Sequence, residues 1–169
     1  MNPFSYKPSP HQVLFDSRGY TVELCFTPES LQAAQRLRYE SYLLMGMIAS
    51  NSEKHFKGEF DEQPNAYTLL ISRARKPVGA IGHSLFDEQQ GWQQTYLRKY
   101  HGALLESFFR EGESLIEVGR LAVVSGLSRQ NRLETLGISY RAQMVSQAFW
   151  MPTRVLVHMK KIILPYMNA

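Results

Sequence analysis

Glu117 and Arg120 stand three positions apart inside an otherwise apolar run, Leu115-Ile116-Glu117-Val118-Gly119-Arg120-Leu121-Ala122-Val123-Val124. A desolvated carboxylate disfavours its charged form, which brings it toward the range of a general base near neutral pH. A guanidinium pairs with a carboxylate through two parallel hydrogen bonds. Burying either charge alone would be costly, so the pair either neutralises itself in a core or faces a substrate. Strict strand alternation puts residues three apart on opposite faces. Gly119 between them permits a bulge, which would bring both side chains to one side. Arg38, Tyr42, Glu59 and Asp61 are further candidates: Arg38 lies at the edge of a helical stripe, and the acidic residues flank Phe60 in a loop.

The run reads as a central strand covered on both faces. Thr21–Phe26 forms an earlier strand, and Thr27-Pro28-Glu29 supplies the start of a helix over 28–45. That helix has Leu31, Ala34, Leu37, Ser41 and Leu44 on its inward face. Residues 46–65 form a long loop, of the kind that is often functional. Residues 66–74 and 77–86 form a hairpin, in which Gly79 and Gly82 mark a bulge or the close approach of another group. A helical stretch follows over 92–110, with Trp92, Tyr96, Tyr100, Phe108 and Phe109 available to a pocket or to the core. Beyond the central strand a helix is expected over 131–150, with Leu133, Leu136, Tyr140, Met144 and Ala148 inward, and Pro152 ends it. Residues 154–158 are short and β-prone, and 159–166 form a last helix or an extended tail. This order specifies an α/β (α+β) fold with a mixed central sheet flanked by helices.

Composition bounds the rest. The chain has 169 residues, 44% hydrophobic and 20% charged, with a formal charge of +4, which fits one domain over 1–169 able to bury roughly two-thirds of its unfolded surface. The basic excess suits an acidic partner and falls short of a nucleic-acid footprint. Residues 1–19, with Pro3, Pro8 and Pro10, read as an irregular lead-in. Cys25 is the only cysteine; in a strand it reads as a buried structural thiol, and a reducing cytoplasm is its natural setting. No apolar run reaches the ~20 residues of a transmembrane helix, and the histidines and carboxylates show no metal-ligand spacing. His83 and His158 read as hydrogen-bonded core or edge residues.

The order of elements, with Glu117-Val118-Gly119-Arg120-Leu121-Ala122-Val123, resembles the GNAT acyltransferase superfamily. More narrowly it resembles the branch of N-acyl amino acid synthases and acyl-homoserine-lactone synthases, in which a Glu-x-(Ser)-Arg-x-Ala-Val strand is usual. Arg38-Tyr39-x-x-Tyr42 and Phe60-Asp61 are also family-like. The resemblance implies an N-acyltransferase with Glu117 and Arg120 catalytic and with Arg38, Tyr42, Phe60 and Asp61 binding substrate. Leu121, Ala122, Val123, Arg129 and Arg132 would hold the acyl thioester or its carrier, with Arg154, Lys160 and Lys161 as further docking charges. The donor it implies is acyl-phosphopantetheine on an acyl carrier protein, or acyl-CoA, with no tightly bound cofactor and a small-molecule amine as acceptor. Three departures stand out. No arginine follows Val78-Gly79, so that carboxylate-binding function is absent or relocated. Residues 124–137 contain no Gly-x-Gly phosphate loop, which argues against ordinary acetyl-CoA use. The family pattern continues with a helix and two more strands beyond Ala169, so the alternatives are a truncated chain, a shortened fold, or a sheet completed by another chain, including a homodimer through an open edge. A non-catalytic GNAT-like binding or assembly module is the competing reading, and an acetyl-CoA-dependent acetyltransferase is the third.

Overall fold

The Thr27 side chain accepts a hydrogen bond from the Ser30 amide at 3.2 Å, and Pro28 follows it in the first turn. These are the start signals of helix α1, Pro28–Leu44. The structure is a computed structural model that describes residues 13–59, 61–86, 99, 102, 112–150, 152 and 154–157. Phe60, His158, Lys160, Lys161, the stretch expected to be helical over 92–110 apart from 99 and 102, and the tail over 159–166 lie outside the described residues. Around α1 the elements run β1 (Val13–Ser17), β2 (Tyr20–Leu24), α1, β3 (Ala66–Arg73), β4 (Lys76–Phe86), β5 (Leu115–Val123), α2 (Arg129–Trp150) and β6 (Arg154–Val157).

The strands form one sheet in chain order. Neighbours from β1 to β5 are antiparallel. β6 joins β5 in parallel, pairing Leu115–Val118 with Arg154–Val157. The fold is thus the mixed α/β sheet expected. One boundary is corrected: Val13–Ser17, part of the expected irregular lead-in, pairs with β2 through a turn at Arg18-Gly19, where both residues have positive φ. The period-two signal in Val13-Leu14-Phe15-Asp16-Ser17 is weak, and the strand exists because β2 offers it an edge.

Alternation divides the sheet into two faces. Leu69, Ile71, Ile81, Leu85, Ile116 and Val118 turn to α2 and form the larger core with Ile138, Ala142 and Trp150. Leu70, Ala80 and Ala122 turn to α1 and pack on Ala34, Leu37 and Tyr42. Both helices differ in detail from expectation. On α1, Leu44 is exposed, while Arg38, Tyr39 and Tyr42 are buried with Ala34, Leu37 and Ser41. On α2, Leu133, Tyr140 and Met144 are exposed, while Thr135, Ile138, Ser139, Ala142 and Ser146 face the sheet. Close approach explains the choice: a Cβ on Gly79 would sit 3.2 Å from Thr135 Cγ2, so small residues are needed where α2 crosses β4.

Candidate active site

β5 changes register at the position that Gly119 marks. Gly119 pairs with Gly82 and Ala122 with Ala80, so Arg120 and Leu121 of β5 lie opposite the single residue Ile81 of β4. This one-residue bulge holds Arg120 at φ +55°, a conformation a non-glycine residue adopts only where its surroundings enforce it.

The surroundings are specific. Arg120 Nη2 donates to Ser84 Oγ at 3.2 Å and to the His83 carbonyl at 3.4 Å. A Cβ on Gly82 would lie 2.2 Å from Arg120 Nε, so the guanidinium fills the space that the missing side chain leaves. Ser84 pairs directly with Glu117, and cross-strand partners share a face. Glu117, buried at 4% exposure, and Arg120 are therefore on the same, α1-facing side of the sheet. The bulge achieves this where unbroken alternation would have separated them.

Asp61 joins the two arginines. Its Oδ2 takes a hydrogen bond from Arg38 Nη1 at 3.1 Å, and its Oδ1 makes an ionic contact with Arg120 Nη1 at 2.6 Å. The Gly58 amide also donates to Oδ2, at 2.6 Å, while the Asp61 amide returns to the Gly58 carbonyl at 3.0 Å. This turn places the carboxylate from the long loop. Arg38 is 1% exposed, and its Nη2 donates to Thr68 Oγ1 at 3.1 Å. Burial pulls the Arg38 guanidinium below its ordinary pKa; Asp61 opposes that shift and Arg120 adds to it. The buried Glu117 on the same side of the sheet adds a second carboxyl group to the face that holds the two guanidiniums and Asp61.

Tyr42 sits one turn beyond Arg38 and donates from Oη to the Leu121 carbonyl at 3.4 Å, tying α1 to the bulge. Phe56 from the loop packs edge-on against the Tyr42 ring, with centroids 5.0 Å apart. Ala122 is buried against α1, and Leu121 and Val123 are half-buried. Thus Arg38, Tyr42, Asp61, Glu117, Arg120 and Ala122 converge on one face, which Leu121 joins only through its carbonyl, its side chain packing with the α2-facing core. Glu59 and Glu62 do not: they pair at the surface with Lys99, at 2.6 Å, and with Lys57. Arg129 and Arg132 lie in the first turn of α2, apart from this cluster. Ser128 caps that turn, its Oγ accepting from the Asn131 amide at 3.2 Å.

A family model describing the N-acyl amino acid synthase FeeM matches residues 33–159. The chain belongs to the FeeM N-acyl amino acid synthase family. The matched span of this FeeM-family chain contains every residue of the cluster from Arg38 to Ala122. The solved structure of FeeM, from uncultured soil microbes, is 22% identical, with a TM-score of 0.52 over 74% of this chain and 66% of that one. The acyl-homoserine-lactone synthase LasI is 17% identical, with a TM-score of 0.50 over 76% and 66%. The chain thus spans just under two thirds of the length of each. An aminoglycoside acetyltransferase, HMB0005, from an uncultured soil metagenomic sample is 13% identical, with a TM-score of 0.52 over 86% and 82%. No curated protein sequence matches significantly.

Sequence reasoning missed Thr68, Ser84 and Gly58, which become partners only once the register is known. His83 is corrected in one respect. It is a core residue, fully buried between Tyr67 and Trp150 on the α2 face, but among the described residues neither ring nitrogen has a hydrogen-bond partner. Burial first, then Arg120 and Arg38, push its pKa down to about 3. Cys25 is the buried thiol expected, pushed up to about 12 by burial. Among the described residues no group of three or more His, Cys, Asp or Glu could hold a metal, and no helix is long and apolar enough to cross a membrane.

Proposed function

We propose that the protein is an N-acyltransferase that moves a long-chain acyl group from an acyl carrier protein thioester to the amine of an amino acid or related small molecule. The β5 bulge carries this reading, because it puts Glu117 and Arg120 on one face of the strand whose pattern resembles the family's. An α-amino group has a pKa near ~8, so a fraction is neutral at cytoplasmic pH and a weak base suffices. Glu117 takes the ammonium proton through one water, and the amine nitrogen attacks the thioester carbonyl. The C–N bond forms and the C–S bond breaks; the second proton on the attacking nitrogen passes through water to the departing thiolate, whose pKa of about 8.5 requires little acid assistance, and Glu117 returns its proton to solvent. Arg120 and the β5 backbone at Leu121–Val123 favour the developing oxyanion and align the pantetheine arm. Arg129 and Arg132 at the start of α2 suit the donor's phosphate.

The substrate-binding role of Arg38, Tyr42, Phe60 and Asp61 takes a particular form in this reading. Asp61 occupies both guanidiniums, so in this reading the acceptor exchanges with Asp61 for the arginine pair. The reading sets the protein in the cytoplasm, with acyl-phosphopantetheine or acyl-CoA as donor. One observation favours a second reading, a non-catalytic binding module: the internal carboxylate already fills the arginine pair. Incubation with acyl carrier protein thioesters and a panel of amines decides between them. The first reading predicts free thiol in step with an N-acyl product; a folded protein that releases thiol from no donor–amine pair supports the second.

A further inference from the structure

The loop that carries Asp61 is fixed to the body of the fold at its two ends. The Phe56 amide donates to the Gln35 carbonyl at 3.1 Å, and the Asn65 carbonyl accepts from the Leu85 amide at 2.9 Å. Between these ends the backbone bonds of the described residues are turns: the Asp61 amide to the Gly58 carbonyl at 3.0 Å and the Ala66 amide to the Gln63 carbonyl at 2.9 Å. Lys57 pairs with Glu62 and Glu59 with Lys99, all four at the surface. Among the described residues of this stretch, the one buried polar attachment to the body is Asp61, 6% exposed, on Arg38 and Arg120.

Asp61 grips each arginine by a single oxygen, Oδ2 on Arg38 and Oδ1 on Arg120. Arg38 Nε, buried with the rest of its side chain, has no hydrogen-bond partner among the described residues, so Asp61 does not saturate that guanidinium. The carboxylate of an incoming molecule offers the same two oxygens, and it competes with a carboxylate whose tether raises its effective concentration. An amine without a carboxylate would strip Asp61 from both guanidiniums and put nothing in its place, which leaves buried charge unmet. A zwitterion exchanges partners instead. Its carboxylate takes the arginines, the freed Asp61 faces its ammonium, and no charge is left alone.

We infer that Asp61 is a tethered stand-in for the acceptor's carboxylate, and that it restricts the site to amines that carry one. This rests on the acyl-transfer reading for the identity of the acceptor as an amine. Asp61 is then a specificity-determining residue: it holds the arginine pair until a carboxylate arrives to replace it, and it turns to the ammonium once replaced.

The test is amide hydrogen exchange at Gly58 and Asp61, whose N–H groups close the turn, in the wild-type chain titrated with glycine, acetate and methylamine. Glycine and acetate should speed exchange at both amides. Glycine should bind at least about a hundredfold more tightly than methylamine, the discrimination that a buried ion pair broken from one side supplies. Asp61→Asn removes the competitor, so acetate should bind this variant at least about tenfold more tightly than the wild type and raise its melting temperature where acetamide does not. If the variant does not fold, the wild-type exchange decides. Gly58 and Asp61 amides that stay protected in glycine and acetate, methylamine that binds as tightly as glycine, or a folded Asp61→Asn that gains nothing for acetate would overturn the inference. Thiol release from acyl-pantetheine in the presence of glycine is followed separately. Its absence, with Gly58 released by glycine, counts against the acyl-transfer reading and leaves the role of Asp61 standing.

Discussion

The Arg120 guanidinium lies in the space a side chain on Gly82 would occupy, with Nε 2.2 Å from where a Cβ would stand. Gly82→Ala must therefore push out a group held by Asp61, Ser84 and the His83 carbonyl. The backbone at Gly82 is ordinary strand, so the damage falls on the site more than on the fold. Thermal melts should show a loss of about 1–3 kcal/mol, typical of overpacking, and acyl transfer should fall at least about tenfold. Unchanged activity would mean that the position of Arg120 is immaterial.

Asp61 is the counter-charge that two buried arginines share. Asp61→Asn keeps the shape and removes the charge, leaving Arg38, 1% exposed, without its ionic partner. Breaking a buried pair from one side typically costs about 3–5 kcal/mol. Urea denaturation should register a loss of that order. A loss under about 1 kcal/mol would show that the loop carboxylate is not holding α1 and β5 together.

His83 links stability to pH. Its folded pKa is about 3, against roughly 6.5 in the unfolded chain. Between those values the unfolded state binds the extra proton, so stability is full above about pH 6.5 and falls as pH drops toward 3. The slope approaches about 1.4 kcal/mol per pH unit, or about 2 kcal/mol between pH 7 and pH 5. His83→Leu, similar in size and apolar, should flatten that part of the curve in urea midpoints taken at pH 7, 6 and 5. A variant as acid-sensitive as the wild type would assign the effect to other groups.

Much of this architecture is legible in the amino-acid sequence. The Thr27-Pro28 start, the hairpin over 66–86 and the apolar β5 run are local signals, and the structure reproduces them within a few residues. Gly119 and Gly82 are readable as a bulge and a close approach because a glycine inside a strand needs a reason. What is not legible depends on which surface an element meets. Arg38 reads as a flank residue and is fully buried, because its partner Asp61 comes from a loop 23 residues away. The α2 stripe reads as inward because helical spacing of apolar residues cannot tell which side of the helix meets the sheet; the small Thr135, Ser139 and Ser146 carry the packing instead. Val13–Ser17 is a strand only because β2 accepts it. Thr68, Ser84 and Gly58 carry no signal of their own.

Acyl transfer by this site depends on Glu117 acting from the same face as Arg120. Single-turnover acyl transfer by Glu117→Gln, with donor binding measured alongside, tests this most directly. The variant should fold, bind the acyl-carrier donor within about twofold of wild type, and slow the chemical step by ~100-fold or more, the usual contribution of a positioned base. A chemical step at the wild-type rate, or an equal loss in binding and chemistry, would contradict that role and leave Glu117 a structural partner of the strand.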